Sequence, residues 1–181
     1  IKVKKNFAIG KLLEVNKASH HRVDPPCVYY WKCGGCQLQH MSYEAQLAMK
    51  KEQVVNLFHR KGQFTDTVIN DTIGMDNPWR YRNKSQVPIG QDKMNHKIMG
   101  YYRQRSHDII DMDSCLIQDK QHQDIMNHVK KWINEYHISI YNERTKKGVL
   151  RHLVIRTGHY TDEIMVIFVT DRKSTRLNSS H

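Results

Sequence analysis

The sequence predicts an α+β fold, with helices and an antiparallel sheet drawn from separate stretches of one domain. Two segments, about 42–60 and 119–136, repeat apolar residues at helical spacing. Several short segments instead alternate, or run apolar, over strand lengths. No strand leads into the glycine-rich turn that opens a nucleotide-binding βα unit, so a Rossmann-like domain is not expected within this chain. Hydrophobic residues make up 39% and charged residues 26% of the 181 positions, a globular balance that excludes wholesale disorder.

Residues 1–18 begin with the alternating run Ile1-Lys2-Val3-Lys4 and continue through Phe7–Val15, which reads as the last strands of a small β barrel. Residues 19–26 (SHHRVDPP) form a linker, because the proline pair stops regular structure. A cysteine-rich loop, Cys27–His40, precedes the first helix. Ser42 caps that helix, Glu44 sits in its first turn, Leu47, Val54, Val55 and Phe58 share one face, and Gly62 lies just past its end.

From Trp79 to Val87 the pattern alternates, with Trp79, Tyr81 and Val87 on one side and Arg80, Arg82, Lys84 and Gln86 on the other. Strands at Ile98–Arg103 and Asp108–Met112 would complete an antiparallel meander. The second helix, about Asp119–Tyr136, aligns Ile125, Met126, Val129, Trp132, Ile133 and Tyr136 toward the core. Two last strands, Leu150–Arg156 and Ile164–Thr170, flank a hairpin loop. Residues 27–170 thus form the main domain. Asp171–His181 (DRKSTRLNSSH) turns abruptly polar and matches the translation of a common sequencing-library adapter, so residues 171–181 are expected to be a non-native tail on a fragmentary reading frame.

Lys plus Arg number 29 against 18 Asp plus Glu, a net charge of +11, which points to a polyanionic partner, RNA or DNA first. No apolar run approaches the ~20 residues of a spanning helix, and the start, Ile1-Lys2-Val3-Lys4-Lys5, lacks a signal-peptide core. A cytoplasmic, monomeric protein without a membrane partner is therefore expected. Arg80, Arg82, Lys84 and Gln86 would form a row spaced about 6–7 Å along one strand face, near the spacing of successive phosphates, and Arg103 and Arg105 would extend it. Of Tyr101 and Tyr102, one faces the core and the other is free to stack on a base; the pattern does not say which.

Cys27, Cys33 and Cys36 form Cys-x5-Cys-x2-Cys with Gly34-Gly35 in the short gap, a turn that can wrap closely around a bound metal. Cys115 stands far along the chain, placed to close a tetrathiolate site. Three clustered cysteines and a remote fourth favour iron–sulfur over zinc, whose sites usually pair their cysteines, but zinc remains a rival on thiolate number. His40, four residues after Cys36, fits a supporting polar role better than a ligand role.

CVYYWKCGGCQLQHMSYEAQLAMK, NPWRYRNKSQVPIG and GYYRQRSHDIIDMDSCLIQ, in this order, resemble the RNA uracil-5-methyltransferase family, in particular its iron–sulfur members acting on 23S ribosomal RNA. The resemblance runs from Ile1 to Thr170. It implies that Cys27, Cys33, Cys36 and Cys115 hold a 4Fe-4S cluster and that residues 1–18 end a TRAM-type RNA-binding barrel. It also implies that the S-adenosylmethionine-binding, Rossmann-like domain lies beyond this chain. In that family a cysteine thiolate adds to carbon 6 of the flipped-out uracil before carbon 5 takes the methyl group. With all four cysteines matched to the cluster, no catalytic residue is expected here. The competing expectation is a stand-alone RNA-binding module with a structural zinc or iron–sulfur site.

Overall fold

A computed structural model describes residues 1–171. Of the expected tail only Asp171 falls among them; the other residues of that segment lie outside the described part. Residues 1–18 contribute a single antiparallel pair, β1 (Lys2–Val3) and β2 (Ala8–Ile9), in register Lys2 to Ile9, and bury no side chain.

The first helix, α1 (Tyr43–Leu57), starts where the sequence places it, because the Ser42 hydroxyl accepts the Ala45 N–H at 3.3 Å. It ends in a wide π turn, Phe58–Gly62, closed by Gln63 in the left-handed region at φ 56°. Its expected apolar face is little covered. Ala45 is buried, whereas Val54, Leu57 and Phe58 remain exposed.

Five strands follow: β3 (Lys84–Gln91), β4 (Lys97–Tyr102), β5 (Ile109–Asp111), β6 (Leu150–Thr157) and β7 (Ile164–Thr170). They form one antiparallel sheet in the order β5-β4-β3-β6-β7. The expected meander supplies β3–β4–β5. The pairing of β3 with β6, Ser85 opposite Ile155 and Val87 opposite Leu153, joins it to the last hairpin. Helix α2 (Lys120–Glu135), capped by Asp119 accepting the Gln121 N–H at 2.8 Å, lies on one face of this sheet. Met126, Val129 and Ile133 of α2 close the core over Val87, Ile89, Met99, Leu153 and Ile155. Trp132 and Tyr136, expected in that stripe, stay exposed, and Trp132 instead meets Phe168 of β7 at 5.4 Å between ring centres.

The expected strand over Trp79–Val87 is corrected. Strand pairing begins only at Lys84, because Arg80 adopts φ 58° and Arg82 joins Gln118 in an isolated parallel bridge, which turns the backbone away from the sheet. A second, smaller core of Met112, Cys115 and Ile117, packed with Tyr29, Cys36, Trp79 and Ile110, meets the main one at Tyr101.

The main core also contains a polar pin. His122 of α2 is fully buried; its Nδ1 lies 2.6 Å from the Ser85 hydroxyl on β3 and its Nε2 2.6 Å from the Thr157 hydroxyl on β6. Burial lowers the imidazole pKa below its ordinary 6.5, against a smaller opposing pull from Asp119, so the folded chain holds His122 neutral. The unfolded chain protonates this histidine below about 6.5, so its contribution to stability is complete above that pH and falls away as the pH drops. In denaturant titrations across this range, wild-type stability is expected to decline toward acid by up to ~1.4 kcal/mol per pH unit from this group. His122→Leu should flatten the slope and lower stability by about 1–3 kcal/mol at neutral pH, because both hydroxyls lose their partner. An unchanged slope would show that His122 does not carry the dependence.

Candidate metal centre and nucleic-acid surface

The four cysteines come together. Cys27, Cys33, Cys36 and Cys115 line one pocket between the cysteine loop and the segment after β5, and all four are free thiols. The loop supplies three of them because short hydrogen bonds wind it up: Tyr30 N–H to Cys27 O at 3.0 Å, and Cys33 N–H to Tyr29 O at 2.8 Å. Gly35 N–H points at the Cys33 sulfur at 3.3 Å, as a metal-wrapping turn requires. Gly34 N–H instead reaches the Tyr102 carbonyl at 3.0 Å and ties the loop to β4. A side chain at Gly34 would press on that carbonyl at 3.3 Å, so the close approach depends on glycine.

Two further residues brace the loop. The Tyr30 hydroxyl, almost fully buried, lies 2.6 Å from both the Gln37 carbonyl and His40 Nδ1. His40 therefore fastens the loop and does not line the thiol pocket. Gln104 clasps the other side, its N–H donating to Lys32 O at 3.0 Å and its amide to Cys33 O at 3.3 Å.

Burial pushes the thiol pKa of both Cys33 and Cys115 above the ordinary cysteine value. Neighbouring cysteines add to this, since ionised thiols crowded together repel one another, and only partial relief comes from backbone N–H groups at Gly35 for Cys33 and at Ile117 and Gln118 for Cys115. A cation bound beside Cys33 and Cys115 would favour their ionised form. Among the described residues, no three His, Cys, Asp or Glu side chains approach closely enough to share a single metal ion. By ligand type a four-thiol lining fits a zinc ion or an iron–sulfur cluster alike.

The basic row predicted along one strand breaks into separate fates. Arg80 is a clamp on the cysteine segment: its guanidinium donates to Cys115 O at 2.7 Å and Gln118 O at 3.2 Å, and its backbone N–H to Leu116 O at 2.9 Å. Arg82 is half-buried and lines the thiol pocket. Lys84 and Gln86 are exposed on β3, as expected, and Lys84 pairs in register with the equally exposed Arg156. Arg103 and Arg105 lie in the turn after β4 beside the cysteine loop, where Arg103 bridges to Cys33, so they do not extend the β3 row. The tyrosine question is resolved: Tyr101 packs between the two cores with its hydroxyl engaged by Gln118, and Tyr102 is exposed, edge-on to His107 at 5.6 Å.

No protein-family model matches the chain. A Staphylococcus epidermidis protein named uncharacterized RNA methyltransferase is 74% identical over 171 residues, covering 94% of this chain and 38% of that protein. A Staphylococcus aureus protein of the same description is 67% identical over 173 residues, covering 96% of this chain and 38% of its own length. The chain is homologous to one part of these RNA methyltransferases. It spans about two-fifths of the length of the curated relatives it matches. A solved structure of a Pyrococcus abyssi tRNA (uracil-54, C5)-methyltransferase with S-adenosyl-L-homocysteine is also similar, with TM-score 0.66 and 28% identity over 87% of this chain and 34% of that one.

Reading the sequence alone places Arg80 in the basic row without its clamp role, and does not pick out Tyr30 or Gln104, because each acts through a backbone carbonyl or side chain brought to it by folding.

Proposed function

We propose that this chain is part of a cytoplasmic, monomeric, S-adenosylmethionine-dependent methyltransferase that methylates carbon 5 of a uridine in 23S ribosomal RNA. Within it, Cys27, Cys33, Cys36 and Cys115 would hold a 4Fe-4S cluster. The observation that carries the cofactor assignment is the convergence of the chain's four thiols, from two distant segments, on one pocket. When bound, the cluster supplies a rigid tie between the cysteine loop and the segment entering α2. The protein's own residues do the rest: Arg80 fixes the carbonyls of the Cys115–Gln118 turn, Tyr30 and His40 hold the loop shut, and Gly34 anchors it to β4.

S-adenosylmethionine and the nucleophilic thiolate would belong to the relatives' remaining length, and residues 1–18 to a TRAM-type barrel. On the RNA side, exposed Lys84, Gln86, Arg103 and Arg105 are assigned to phosphate contact and Tyr102 to base stacking. The Pyrococcus abyssi neighbour supports a second substrate reading, transfer RNA. Incubating the full-length protein with methyl-labelled S-adenosylmethionine and unmodified 23S RNA or tRNA separates them. Label at carbon 5 of uridine in 23S RNA is expected, label in tRNA alone transfers the assignment, and no label in either sinks it.

Phosphate contact has its own signature. RNA affinity should fall steeply with salt, and Lys84→Ala should lower the slope of log affinity against log salt by ~0.7–0.9. A slope equal to wild type would remove Lys84 from the interface.

A further inference from the structure

Arg82 is half-buried and has no carboxylate partner among the described residues, yet it is one of the residues lining the pocket that the four thiols share. We propose that Arg82 is the built-in counter-ion of the tetrathiolate centre, and that it sets the charge balance of the bound cluster instead of contacting RNA. The proposal rests on the cofactor reading above.

Among the described residues lining that pocket, Arg82 is the one cation; its neighbours there are the four cysteines, Gly35, Tyr30, Gln39, Tyr101 and the apolar side chains of Met112, Leu116 and Ile117. An arginine stays protonated at every physiological pH, and leaving its charge half-buried without an anion is costly. A tetrathiolate cluster carries net negative charge, so the two costs cancel when they share one pocket. The backbone holds Arg82 in place: its N–H donates to Ile117 O at 2.9 Å and its carbonyl accepts the Asp119 N–H at 3.3 Å, which fastens it to the turn that carries Cys115. Burial lowers the pKa of its guanidinium, and the neighbouring Tyr101 and Tyr81 more than offset that. Arg80, two residues earlier, is spent on carbonyls, which explains why two arginines so close in sequence do different work.

A fixed positive charge favours whichever cluster state is more negative, the reduced one. Adding one electron from dithionite to the oxidised cluster raises the negative charge that Arg82 faces, with no proton required. Removing the cation should therefore make reduction harder.

The test is a potentiometric titration, followed by visible absorbance, of this chain reconstituted anaerobically with iron and sulfide. Arg82→Gln is expected to lower the reduced-to-oxidised ratio at a given potential about tenfold, a shift of ~59 mV to more negative values for a one-electron couple. Arg82→Lys should recover most of the shift, since it keeps the charge. Tyr101→Phe, which frees one side of the guanidinium without removing it, should move the potential in the same direction by less, and it decides the matter if Arg82→Gln does not fold. RNA affinity of Arg82→Gln at fixed salt should equal wild type. A loaded Arg82→Gln with wild-type potential, or with weakened RNA binding and unmoved potential, overturns the counter-ion and leaves the cluster standing. Failure of the wild-type chain to take up iron and sulfide overturns both.

Discussion

Cys115→Ala is expected to strip the reconstituted chain of most of its bound iron and bleach its visible absorbance, while the metal-free chain melts close to wild type. In the proposed centre Cys115 would be the ligand from outside the loop, the one thiol that the turn before α2 brings to Cys27, Cys33 and Cys36. As packing, Cys115 matters less: it is a small buried group beside Met112 and Ile117, and shortening it to alanine costs on the order of 1 kcal/mol. The two readouts therefore separate a ligand from a core residue. Because burial holds the Cys33 and Cys115 thiols above their ordinary pKa, loading must expel protons, and iron uptake should strengthen as pH rises. A full iron complement in Cys115→Ala would show that the fourth ligand lies elsewhere.

Gly100→Ala should be the most destabilising single-methyl change in the sheet. Gly100 pairs with Asp111 across β4 and β5, and a methyl group there would run into the Ile110 carbonyl as well as the Met112 side chain at 2.9 Å. A backbone carbonyl in a paired strand cannot step aside as a side chain can, so the β4–β5 pairing must open. Overpacking of this kind costs about 3 kcal/mol or more, a fall of roughly 6–12 °C in Tm for a domain of this size. Gly10→Ala is the control: its added methyl meets nothing within 4 Å and should leave Tm unchanged. The damage should also reach the thiol pocket, because β5 ends at Asp111, shortly before Cys115, and iron uptake by Gly100→Ala should fall with its stability. An unaltered Tm would mean that the sheet edge yields freely there.

The sequence by itself determined the features that depend on neighbours within a turn or two. Ser42 and Asp119 cap their helices within three residues, so both starts were legible. The apolar run Ile164–Thr170 forms its strand with the bounds that its composition indicated. Cysteine spacing picked out the residues that the pocket collects. Tertiary structure alone decided what depends on groups far apart in the chain. Alternation around Arg80 and Arg82 reads as a strand because periodicity weighs only neighbours. The Cys115 and Gln118 carbonyls, some 35 and 38 residues on, draw the Arg80 guanidinium out of that pattern, and the Ile117 carbonyl fixes the backbone of Arg82. The same holds for the β3–β6 pairing, for the burial of His122 between two hydroxyls from different strands, and for the choice of Tyr101 over Tyr102 as the core residue. A buried polar group must be satisfied by whichever partner the fold brings near, and no local pattern encodes that partner.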